Sequence, residues 1–288
     1  MSAREGRIPA LCTPPIWRVR AAAFFVWGVV FYDRPMDAIC DDLHAEHAAL
    51  DAVVANISEE MWTTATPAEG WDVKDTIVHL IQADVAARLA VDDPEAFVEA
   101  KAKMMSGGGL EFFASTNGRT GAEILALWRD ERAKMLAAFR SRGPKERIPW
   151  FGPDMSTLSF ATARLMETWS HGQDIADTVD MPWPATDRLK HVCHIGVTTR
   201  GWSYMVRGQE FPGGDVRVEL TAPSGEVWTW GPEDAADRIT GSAEEFALVA
   251  TQRRQPSSTA LVTEGPLATE WLSIAQAFAG EPTLPDGR

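Results

Sequence analysis

Glu167 and His171 stand four residues apart in a proline-free stretch from Thr157 to Ala176. Leu158, Ala161, Leu165, Met166, Trp169 and Ile175 recur there at helical spacing. On a helix, positions i and i+4 share a face, so a carboxylate and an imidazole one turn apart can close on a single divalent cation. The same spacing also produces an ordinary hydrogen-bonded or solvated pair. A third donor from elsewhere in the chain has to decide between the two.

The other histidines offer less. His79 lies between Val78 and Leu80 in an apolar run, where a lone histidine is usually a satisfied, partly buried side chain. His44 and His47 are three apart among Asp41, Asp42 and Glu46, a setting that predicts exposed or partly exposed rings rather than ligands. The i,i+3 spacing of His191 and His194 permits shared ligation, but no neighbouring acid or cysteine demands it. Cys12, Cys40 and Cys193 show no metal-binding spacing. Gly107-Gly108-Gly109 lacks the strand, lysine and hydroxyl context of a phosphate loop and reads as a connection or a lid.

Several elements must position these residues. Asp37 to Met61 carries Ile39, Leu43, Leu50, Val53, Val54, Ile57 and Met61 as a first helix. Asp72 is placed as the N-cap of a second, with Asp75 at N3 and Trp71 at N′, where the indole can staple against Thr76 or Ile77. Asp93-Pro94-Glu95 opens a helix ending near Ser106, and Thr120 with Glu123 caps another that runs to Gly143-Pro144. Ile148 to Ser156 is rich in proline and aromatics, suited to walling a pocket mouth or to packing down the end of a bundle. Asp187 to Arg207 reads as one helix. Beyond Gly208 the period shifts to alternation: Val216–Leu220 and Val227–Trp230 form a hairpin, and Arg238–Gly241 is a further short strand. Ser242 with Glu245 caps a helix to Thr251, and Leu267 to Phe278 is the last helix. The expected fold class is therefore mainly α, a helical unit over 36–183 followed by a small α+β unit over 184–288.

Charge and cysteine usage set limits on function. The 288 residues carry a formal net charge of -14, which disfavours nonspecific nucleic-acid binding. Three widely spaced cysteines argue against a disulfide scaffold and fit a reducing, cytoplasmic setting. Residues 1–35 differ from the rest: they carry +3 against -17 for the remaining 253, and Ala21–Tyr32 is a twelve-residue apolar run behind Arg18 and Arg20. That run is short for a membrane span, and Tyr32-Asp33-Arg34-Pro35 supplies no small-residue cleavage site. Residues 1–35 are expected to be an extension outside the fold or the product of a misassigned start, with export and a membrane-touching helix as alternatives.

The segments WDVKDTIVHL (71–80), SFATARLMETWSHGQDIAD (159–177) and DRITGSAEEFALVATQRR (237–254) resemble the DinB-like metal-binding superfamily, in the branch that includes mycothiol-dependent maleylpyruvate isomerase. The likeness runs from about Met36 to Gly280. It implies an up-and-down four-helix bundle that binds one divalent metal, usually zinc, through a histidine on the second helix and a Glu-x-x-x-His pair on the fourth. Those positions are His79, Glu167 and His171 here. Two neutral imidazoles and one carboxylate would leave a coordination position open for water or a thiol. Asp174, three beyond His171, is placed to accept an imidazole N–H. The resemblance also implies a thiol cosubstrate such as mycothiol, a small electrophilic substrate, and an arginine of the C-terminal unit near the site. Arg253 and Arg254 lie where such a cofactor- or carboxylate-binding arginine is expected. Two readings stand: a metal- and thiol-dependent transferase or isomerase, and a metal-binding protein with a sensing, storage or scaffold role. Both predict a monomer or homodimer with no stable membrane insertion and no nucleic-acid partner.

Overall fold

The computed structural model describes residues 36–103, 115–152 and 154–282. The expectations for residues 1–35 and for the glycine run at 107–109 lie outside them.

Apolar residues at helical spacing build the first unit. Helices α1 (Met36–Val54), α2 (Val73–Asp92), α4 (Gly121–Arg140) and α5 (Thr157–Val179) form a bundle, with the short α3 (Pro94–Lys103) packed on α2. Helix α1 touches α4 and α5, and α2 touches the same two, so the four close a ring around one core. Ile39, Leu43, Leu50, Ile77, Leu80, Ile81, Ile124, Met135, Phe139 and Leu165 are fully buried in it. Each such side chain contributes about 1.5–3 kcal/mol through removal from water.

The first helix stops at Val54 rather than Met61. The Asn56 side chain donates to the Ala52 carbonyl at 2.7 Å and turns the chain before a single 3₁₀ turn at Met61–Thr63. Strands β1 (Arg147–Ile148) and β2 (Met155–Ser156) pair antiparallel beneath α5. Between them Trp150 packs on Phe160 at 4.3 Å and on Phe97 at 5.8 Å between centroids. The aromatic segment thus packs against the bundle and also lines a cavity of about 310 Å³ with Phe97, Lys101 and Pro149, and none of His79, Glu167 and His171 lines it.

The predicted helix over 187–207 is two helices, α6 (Leu189–Thr198) and α7 (Arg200–Met205). Thr198 and Thr199 hydroxyls donate back to the carbonyls of His194 and Ile195 at 2.9 and 2.8 Å, a competition that bends a helix. Four strands follow in the order β4-β3-β5-β6: β3 (Val216–Thr221), β4 (Val227–Trp230), β5 (Asp237–Ser242) and β6 (Val262–Glu264). The β3–β4 hairpin is antiparallel as expected, β5 runs parallel to β3, and β6 closes antiparallel on β5. Helix α8 (Ala243–Ala250) packs on β5, and α9 (Pro266–Ile274) on β5 and β6. The last helix ends at Ile274 instead of Phe278 because Ala275 turns extended at φ -53, ψ 134. The result is a helical bundle followed by a mixed α+β unit.

Helix α6 joins the two halves, packing on α5 of the bundle and on α8. Gly196 makes the second contact possible, since a Cβ there would lie 2.9 Å from the Ala250 Cβ. No helix among the described residues is long and apolar enough to cross a membrane.

Candidate metal centre

The orientation of His79 starts at the N-terminus of α2. Asp72 Oδ1 accepts the Asp75 backbone N–H at 2.8 Å, and Asp75 Oδ2 accepts the Asp72 N–H at 3.3 Å, the reciprocal cap expected from the sequence. The loop before it is fixed as well, with Thr66 N–H donating to the Trp71 carbonyl at 2.8 Å. On α5 the Ser156 hydroxyl accepts the Ser159 N–H at 3.1 Å, and Asp180 ends the helix in the left-handed region at φ 53. Between these caps α5 places Glu167 and His171 one turn apart, facing His79 across the bundle.

Nε2 of His79 lies 3.5 Å from Glu167 Oε2, and Nε2 of His171 lies 3.7 Å from the same oxygen. One donor atom from each of the three residues falls within 4.8 Å of the others. Zinc bonds of about 2.0–2.1 Å at tetrahedral angles separate donor atoms by about 3.3–3.4 Å. The observed spacings are long for hydrogen bonds and close to that separation, and a two-imidazole, one-carboxylate donor set suits a borderline cation. The residues therefore fit the metal. His79 and Glu167 side chains keep 28 % and 26 % of their surface exposed against 10 % for His171, so the cluster opens on one side.

Charge distribution in the cluster follows from burial and contact. Burial pushes the His79 imidazolium down, holding the ring neutral, against an opposing pull from Glu167. For Glu167, burial acts upward, but the close His171 and His79 rings carry the carboxyl well below its usual range. Burial lowers His171 while the hydrogen bond to Asp174 and the nearby Glu167 carboxylate raise it, and the net is upward. Nδ1 of His171 lies 3.2 Å from Asp174 Oδ2, which leaves Nε2 free for the cluster.

Trp71, the residue directly before the Asp72 cap, also reaches the cluster. Its ring lies 4.7 Å from His79 and stacks at 5.7 Å on His171, walling both imidazoles, and it is buried. Arg253 and Arg254 both reach α5. Arg253 donates to Asp174 through Nη2 at 2.7 Å and Nε at 3.3 Å, and Arg254 binds Asp177 through Nη1 at 2.8 Å and Nη2 at 3.0 Å. His191 pairs with Asp42 at 2.8 Å, and His194 accepts from the Trp230 indole N–H at 3.4 Å, so neither joins the cluster.

His47 corrects its expectation: it is fully buried, edge-on to Trp128 at 5.7 Å. Only His44 of that pair is exposed. A buried ion pair that sequence reasoning missed, Arg164 with Asp84 at 3.0 Å, lies in the same bundle. Its signal was legible, since Arg164 sits three residues before Glu167 and seven before His171, on their helical face.

Residues 43–176 match the family model described as the mycothiol maleylpyruvate isomerase N-terminal domain. An uncharacterized protein of Mycobacterium tuberculosis, Rv0036c in strain H37Rv and MT0041 in strain CDC 1551, is 43 % identical over 244 residues, covering 84 % of this chain and 95 % of its own length. The chain belongs to the mycothiol maleylpyruvate isomerase N-terminal domain family. All three clustered donors lie within the stretch matched by that family. Crystal structures of the mycothiol-dependent maleylpyruvate isomerase and of a point mutant of it superpose with TM-scores of 0.53 and 0.52, over 83 % of this chain and 98 % of theirs. At 16 % identity that likeness speaks for the shared fold alone. Residues 212–264, outside the bundle, match a model described as wyosine base formation.

Proposed function

We propose that His79, Glu167 and His171 hold one divalent metal, zinc first among candidates, and that the protein is a thiol-dependent transferase or isomerase acting on a small electrophile. The observation that carries this is the convergence of two imidazole nitrogens and one carboxylate oxygen within 4.8 Å on a half-open face. Among the described residues that group holds only these three members, and three protein donors with an open position are the pattern of catalytic rather than closed structural sites. When bound there, a divalent ion lowers the pKa of a coordinated thiol or water by several units. The rest falls to the protein: Trp71 excludes water from one side of both imidazoles, and Asp174 fixes the His171 ring so that Nε2 faces the cluster. Family membership supports a thiol of the mycothiol type as cosubstrate. Buried, unpaired Cys40 and Cys193 fit the cytoplasm as its compartment, and we divide the chain into units at 36–183 and 184–288.

The test is consumption of mycothiol by the purified, metal-containing protein against a panel of small electrophiles, maleylpyruvate among them. Turnover that disappears in His79→Ala supports the reading. A protein that retains metal but consumes no thiol with any of them contradicts it and favours a non-catalytic metal-binding role.

A further inference from the structure

We infer that Arg253 is a positioning residue for the metal centre, acting through Asp174 to fix the ring of His171, so that the C-terminal unit completes a site whose donors all lie in the bundle. The inference rests on the metal-binding reading above.

The backbone delivers Arg253 from a constrained turn. Helix α8 ends at Ala250, and Gln252 then takes the left-handed conformation at φ 58, which is unfavourable for a non-glycine residue. That conformation is held from two sides. The buried Gln252 amide donates to the Ala275 carbonyl at 3.2 Å, and Arg253 N–H donates to the Leu248 carbonyl at 2.7 Å. The guanidinium is thereby aimed at α5 of the bundle.

Every guanidinium nitrogen is engaged. Nη2 and Nε grip the two oxygens of Asp174 at 2.7 and 3.3 Å, and Nη1 donates to the Thr251 carbonyl at 2.7 Å. A two-nitrogen grip of this kind on a carboxylate orients its partner. Asp174 is itself buried, and the oxygen closest to Arg253, Oδ2, is the one facing His171 Nδ1 at 3.2 Å. The chain of contacts therefore runs from the C-terminal unit through one carboxylate to a donor ring. Arg188, by contrast, crosses between the same two parts of the chain to Glu46 at 2.6 Å without touching a donor of the cluster.

The experiment titrates the full-length, metal-stripped protein with Zn²⁺ against a chromophoric chelator and records the visible spectrum of the Co²⁺ form. Arg253→Gln and Asp174→Asn should each weaken Zn²⁺ binding about 10- to 100-fold and shift the Co²⁺ bands, with helical circular dichroism retained. Arg253→Lys, which keeps the charge but not the fork, should fall between wild type and Arg253→Gln. Arg188→Gln should lower the melting temperature yet leave Zn²⁺ affinity and the Co²⁺ spectrum unchanged. Wild-type affinity and spectrum in both Arg253→Gln and Asp174→Asn, alongside lost binding in His79→Ala, would overturn this inference alone. A wild-type protein that binds neither metal would overturn the metal-binding reading and this inference together. Should Arg253→Gln fail to fold, Asp174→Asn decides the matter.

Discussion

Among single residues, His47 has the most demanding environment after the cluster itself. It is fully buried, neither ring nitrogen has a hydrogen-bond partner among the described residues, and Arg132 and Arg164 both act on it. Burial, reinforced by those cations, holds its pKa well below the ordinary histidine value, so the folded protein keeps the ring neutral. The sign follows directly. The unfolded chain takes up a proton near pH ~6.5 and the folded chain does not, so the contribution of His47 is complete above that pH and is lost as pH falls. The expected loss is about 1.4 kcal/mol per pH unit below it until the folded ring also protonates. Urea unfolding of wild type and His47→Leu at stepped pH values should give curves that diverge in this way, and parallel curves would contradict it. At this scale the sequence is unevenly legible. The Glu167–His171 pair was visible from spacing, whereas His79 acquired a role only through family resemblance, because a lone histidine in an apolar run carries no signal of its own. His47 was misjudged because acidic neighbours say nothing about which face of the helix a ring occupies.

At the scale of elements, α2 and α5 do more than carry donors. They also face each other through Asp84 and Arg164, which are 1 % and 3 % exposed. Burial raises the Asp84 carboxyl, and the Arg164 guanidinium opposes that shift. Such a pair is weak evidence of net stability, yet removal of one partner leaves an uncompensated charge in the core. Asp84→Leu should therefore cost about 3–5 kcal/mol, and Asp84→Leu with Arg164→Met should recover much of that loss. Denaturant midpoints of the two variants check it, and a double variant no more stable than the single would contradict the account. The long periodic helices and both reciprocal caps were legible because a broad apolar stripe and a Thr or Asp cap are local signals. What escaped was short or set by long-range contact. Strands β1 and β2 have two residues each and β6 has three. The break between α6 and α7 depends on hydroxyls competing with the helix, which periodicity does not report.

Taken whole, the molecule is a bundle closed against an α+β unit, whose contacts reach both α1 and α5, the helix that carries two of the three clustered donors. Arg253 and Arg254 were anticipated near the site from the tail segment, but their partners, Asp174 and Asp177, belong to the protein itself. No local pattern encodes that pairing, since it depends on how the second unit seats on the first. A bundle held together by apolar stripes should survive loss of its donors, so metal content and helicity should separate. Elemental analysis of protein purified without chelator tests this most directly, comparing wild type with His79→Ala and with the double variant Glu167→Ala, His171→Ala. The expected result is a single divalent ion per wild-type chain, little or none in either variant, and unchanged helical circular dichroism in all three. Metal occupancy in the double variant equal to that of wild type would contradict the central claim and reduce Glu167 and His171 to an ordinary pair one helical turn apart.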